Sequence, residues 1–123
     1  MKSIVKLNIE QEKPPLDVAL YYIMHEIELA KYNGGGVIKV LHGYGSSGVG
    51  GVIKIETLKM LKKLKRKSPN DSMSKGLKIR DYIMGEEFSV TSPKYVRWVQ
   101  DYPELMSDED LNNGNGGVVF IKV

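Results

Sequence analysis

Cysteine is absent from the 123 residues, which excludes disulfides and thiolate metal sites. Long apolar runs are absent too, and nothing approaches the roughly 18 residues that would suggest a membrane span. The opening Met1-Lys2-Ser3-Ile4-Val5-Lys6 meets charge again before an apolar stretch develops, so no signal peptide is predicted and the cytoplasm is the expected compartment. There is no internal repeat, no low-complexity tail, and little net charge, only +3. What remains is a chain with 41% hydrophobic and 27% charged residues, values of an ordinary folded protein and enough for one domain over residues 1–123.

The small net charge hides an uneven distribution. Residues 52–80 hold ten basic side chains against two acidic ones, net +8, whereas residues 81–123 hold three against eight, net −5. A basic block of this size attracts polyanions, and phosphate contacts dominate nucleic-acid affinity. A solvated lysine-rich helix face accounts for the same pattern, and the acidic final third can neutralise it from within.

Apolar spacing gives the elements. Ile4, Val5, Leu7 and Ile9, with Lys6 and Asn8 interleaved, predict a strand. After Pro14-Pro15, the residues Leu16, Ala19, Leu20, Ile23, Met24 and Ile27 follow helical spacing until Asn33-Gly34-Gly35-Gly36. Val37-Ile38-Lys39-Val40-Leu41 predicts a strand covered on both faces. A glycine-rich loop over residues 42–51 leads to a helix over 52–66 expected to bury Ile55, Leu58, Leu61 and Leu64. Beyond the break at residues 68–72 come a strand at 80–84, a short helix opened by Ser92-Pro93 with Tyr95 and Trp98 as core anchors, and a final strand at 118–123. The β-α-β-α opening implies a parallel strand pair. His25 is expected in solvent, with Val18, Tyr21 and Tyr22 of the same outer side expected beneath the long 68–111 segment.

The loop after the second strand is the best candidate site. Glycines let backbone amides approach a phosphate, and a helix N-terminus adds unpaired N–H groups. His42 stands at the strand's C-terminal end, where its imidazole can donate to a phosphate oxygen or act as acid or base. The expected contact set is His42, Gly43, Tyr44, Gly45, Ser46, Ser47, Gly48, Lys54, Lys59, Lys62, Lys63 and Arg66, with Tyr44 as a base-stacking group. Two other motifs fail. Gly43-Tyr44-Gly45-Ser46-Ser47-Gly48 matches G-x-G-x-x-G, but the acid that a dinucleotide site needs about 20 positions on is replaced by Lys62-Lys63-Leu64-Lys65-Arg66-Lys67. No glycine precedes Lys-Ser or Lys-Thr, so no phosphate-loop NTPase motif exists.

The run Val37-Ile38-Lys39-Val40-Leu41-His42-Gly43-Tyr44-Gly45-Ser46-Ser47-Gly48 resembles the His-Gly-x-Gly element of the Smr (small MutS-related) domain, and Gly114-Asn115-Gly116-Gly117-Val118-Val119-Phe120-Ile121 is similar to that family's closing turn and strand. The resemblance implies an α/β two-layer sandwich, a βαβαββ mixed sheet with two main helices, like the C-terminal domain of translation initiation factor three. Residues 68–111 would then be an enlarged connection carrying the extra short helix. It also implies nucleic-acid binding, DNA or RNA, and in some members nicking or metal-dependent endonuclease activity. The family's first motif, Leu-Asp-x-His, is replaced by Leu7-Asn8-Ile9-Glu10, so only His42, Gly43 and Gly45 carry over. A nuclease built on this chain would use His42 and Glu10, with Mg²⁺ or Mn²⁺ as the implied cofactor. A third class is a protein-interaction module, with a protein partner or a second copy meeting the acidic 101–111 segment and the tyrosines of the first helix.

Overall fold

The structure, a computed structural model, describes residues 3–43, 49–66 and 77–123. Strand β1 (Ser3–Asn8) leads through buried Pro14 to helix α1 (Leu16–Tyr32), then to β2 (Gly36–Leu41) and α2 (Val49–Arg66). Strand β3 (Asp81–Met84) follows, with a 3₁₀ turn at Gly85–Glu87, helix α3 (Pro93–Asp101), a 3₁₀ turn at Pro103–Ser107 and strand β4 (Val118–Lys122). The fold is α/β, a mixed four-stranded sheet in the order β1-β2-β4-β3. β1 and β2 run parallel with Asn8 beside Leu41, while β4 lies antiparallel to both β2 and β3. β4 is thus the last strand in sequence and a central one in space.

Strand alternation divides the core in two. One face contributes Ile38, Val40, Val119 and Ile121, packed against Ala19, Ile23 and Ile27 of α1 and Ile53, Leu61 and Leu64 of α2. The other contributes Val37, Ile83, Val118 and Phe120, packed against Phe88, Tyr95, Trp98, Tyr102 and Leu105. The connection therefore does more than lengthen the chain: its described part adds a layer over the second sheet face. Tyr95 and Trp98 are core anchors as expected. Tyr21 and Tyr22 do not lie beneath the described part of that segment; Tyr21 is 64% exposed and stacks on exposed His25. The reason is topological, since α1 covers one sheet face and the aromatic segment the other.

Helix α2 buries Leu61 and Leu64 as expected and packs half-buried Leu58 against the core, but departs from the expectation at its start. Ile53, Thr57, Leu61 and Leu64 point inward, and Ile55 is 56% exposed rather than buried. Spacings of four, four and three follow a 3.6-residue turn, whereas the 55-58-61-64 line drifts off the face.

Lys39 lies mid-strand in β2 and is 4% exposed, facing the aromatic layer. Its ammonium reaches Asp108 Oδ1 at 2.9 Å and Asp110 Oδ2 at 2.6 Å, and it lies over the Phe120 ring. Asn115 donates to the second oxygen of Asp110, and Asp108 accepts the Asp110 amide. Burial pulls the Lys39 ammonium down, but the two carboxylates outweigh it and hold the group above the ordinary lysine value. This ion group pins the stretch before β4 onto the sheet.

Candidate functional site

Parallel pairing of β1 and β2 brings both strands to one edge at their C-terminal ends, and the chain leaves that edge into α1 and α2. Three segments meet there. The amides of Ile9 and Glu10 both donate to the Leu41 carbonyl at 2.9 Å, and those of His42 and Gly43 both donate to the Gly117 carbonyl at 2.9 and 3.0 Å. Asn8 keeps the first crossing tight by accepting the Gln11 amide through its side chain. Asn115 does the same for the third, accepting the Gly117 amide at 2.9 Å.

Gly43 has φ +78°, and a Cβ there would stand 3.0 Å from Glu10 Cγ. The conformation favours glycine, and a side chain there would press on that of Glu10. The Glu10 side chain therefore lies across the Gly43 backbone, close enough to His42 for its charge to act on the imidazole. The strand register explains this: with Asn8 level with Leu41, residue 10 arrives opposite residue 43.

His42 is 2% exposed, and its Nδ1 lies 2.9 Å from the Gly43 carbonyl. A carbonyl only accepts, so Nδ1 carries the proton and Nε2 of the neutral ring offers a lone pair. Burial pushes the imidazole below its ordinary value; the Gly43 bond and the charges of Glu86 and Glu10 oppose this, and Lys54 adds to it. The neutral ring thus presents Nε2 as an acceptor.

Lys54 extends from α2 towards the same edge, but its ammonium is 2.6 Å from Glu86 Oε2. Both charged ends lie over Gly116, where a Cβ would meet Lys54 Nζ at 3.2 Å and Glu86 Oε2 at 3.3 Å. Burial would raise the Glu86 carboxyl, but the Lys54 hydrogen bond outweighs it and keeps the group below the usual glutamate value. Glu86 is a site residue that sequence reasoning missed, since it stands more than 40 positions from His42 with no motif around it. The turn at residues 114–117 was legible as a turn, but nothing local showed that it walls the site.

The remaining basic residues follow α2 away from the edge. Lys59 pairs with Glu56 at 3.3 Å, Lys62 and Lys63 are exposed, and Lys65 turns to Asp81 at 2.9 Å. The acidic third thus takes up part of the basic block, through Glu86 and Asp81. Tyr44, Gly45, Ser46, Ser47 and Gly48 lie outside the described residues, as does the side chain of Arg66.

Among the described residues no group of three or more His, Cys, Asp or Glu side chains is placed to hold a metal ion. Glu10 and His42 supply two donors and Glu86 is engaged by Lys54, which falls short of a dedicated oxygen cage. No described helix is long and apolar enough to cross a membrane. Compared with protein-family models, curated proteins and solved structures, the chain matches none.

Proposed function

We propose that this chain binds nucleic acid through the phosphate backbone, at the β1–β2 edge and along the outer face of α2. The observation that carries the reading is the charge of that helix: six basic side chains against one acid, with Lys59, Lys62 and Lys63 standing in solvent. They lead away from an edge where α1 and α2 begin, so helix dipoles and lysines favour an anion along the same line. His42 serves by fixing the turn through Gly43 rather than by donating to phosphate.

Titration with single-stranded, double-stranded and branched DNA and RNA at several salt concentrations tests this. Binding should weaken steeply with salt, and Lys62→Ala and Lys63→Ala should each lower the salt slope by about one. Absence of binding at low salt, or lysine variants that bind like the parent, would sink the proposal.

A second reading, strand cleavage at the same edge, is favoured by one arrangement: a neutral His42 with Nε2 as its base, beside the Glu10 carboxylate. It expects nicking that Glu10→Gln and His42→Gln both abolish while binding persists. Cleavage that survives either change excludes it.

A further inference from the structure

A cavity of about 770 Å³ lies at the far end of α2 from His42. Lys31, Lys65, Lys78 and Arg80 line it, with Ile79 and Val123 supplying apolar wall. Four cations around one cavity repel one another, and two of them have a ready explanation. Lys31 and Lys65 stand in the last turns of α1 and α2, where a cation offsets the negative helix end. Lys78 and Arg80 belong to no helix, are exposed, and form no ion pair among the described residues. Asp81, the acid nearest by chain, is shared between Lys65 at 2.9 Å and Lys94 at 3.1 Å. The positive charge of Lys78 and Arg80 is therefore matched by no ion pair among the described residues, and an anion entering the cavity would relieve the repulsion.

Resting on the nucleic-acid reading above, we infer that this cavity is a second phosphate-binding site, occupied by a backbone phosphate of the same strand that meets the His42 edge. Helix α2 joins the two ends. Its 18 residues span about 27 Å, the rise of roughly eight base-pair steps of duplex. Exposed Lys59, Lys62 and Lys63 lie between, so the cavity ends a continuous basic track. A ligand shorter than the helix reaches one end only.

The test uses the full chain and the double variant Lys78→Gln/Arg80→Gln, both exposed positions, with thermal melting to confirm an unchanged fold. On a 16-base-pair duplex the variant should bind about tenfold more weakly at low salt, with a salt slope lower by about two. On a 4-base-pair hairpin stem the loss should be at most twofold, and inorganic tripolyphosphate should bind the parent but not the variant. An unchanged affinity for the long duplex, or an equal loss on long and short ligands, overturns the second site while leaving the nucleic-acid reading intact. If the parent binds no nucleic acid, that reading fails first. Tripolyphosphate bound by the parent and lost in the variant then supports the cavity as a phosphate site, and its absence dismisses the cavity too.

Discussion

Replacing Lys39 by Met tests how the aromatic layer is held to the sheet. The substitution keeps an unbranched side chain in β2 but removes a cation that is 4% exposed and within 2.9 Å of two carboxylates. Asp108 and Asp110 are left poorly hydrated and facing each other. Removing one partner of a buried ion group costs about 3–5 kcal/mol, against a total stability of about 5–15 kcal/mol for a domain. The melting temperature should fall by on the order of 10–20 °C. The pH profile gives an independent readout. Burial would raise the Asp110 carboxyl, but hydrogen bonds from Lys39 and Asn115 hold it below the usual aspartate value. Its contribution is therefore present above the unfolded carboxylate range and lost as pH falls through the folded value. Lys39, held high, contributes below the ordinary lysine value and is lost as pH rises through its folded one. Urea unfolding between pH 3 and 11 should show both limbs in the parent and flattened limbs in Lys39→Met. Adding Asp108→Asn and Asp110→Asn keeps acceptor oxygens for the Asp110 amide and Asn115 while removing the unpaired charge, and should recover much of the loss. A cost below about 1 kcal/mol, the range of an exposed pair, would refute the reasoning.

Three further expectations are independent of that group. Thr57 is fully buried in α2 with no partner for its hydroxyl among the described residues, so Thr57→Val should stabilise the fold by about 1 kcal/mol in chemical denaturation; a loss would show that the hydroxyl is satisfied. A Cβ on Gly85 would fall 1.8 Å from the Asn115 carbonyl oxygen, so Gly85→Ala should cost at least about 3 kcal/mol, whereas Gly34→Ala meets open space at φ +85° and should cost only about 1–2. Equal melting of the two alanine variants would contradict the packing described at Gly85. His42, depressed by burial, should titrate below 6.5 in NMR as the Nδ1–H tautomer. Its contribution is complete above that value and declines as pH falls towards the folded one; an Nε2–H signal would contradict the assignment.

The elements were legible because each carried its own period and punctuation. Ser92 before Pro93 marks the start of α3, and the β-branched run before His42 marks a strand covered on both faces. What was not legible depended on contacts between distant segments. Lys39 sits inside an apolar strand, and nothing local says that its partners are 69 and 71 residues away. The same aspartates read from sequence as an acidic patch open to a partner. The site shows the same division. His42 and Gly43 were visible as a motif, but Glu10 beside them follows only from the strand register, and Glu86 only from the turn after β3.

The central place of β4 makes this a fold that closes last. A chain growing from its N-terminus can pair β1 with β2 and cover them with α1 early, yet β2 and β3 have no common neighbour until residues 118–122 exist. Until then both strands present bare edges, and the Gly117 carbonyl that anchors His42 and Gly43 has not been made. Synthesis therefore delivers the keystone after the strands it joins, and the site cannot assemble before residues 117–122 have been made.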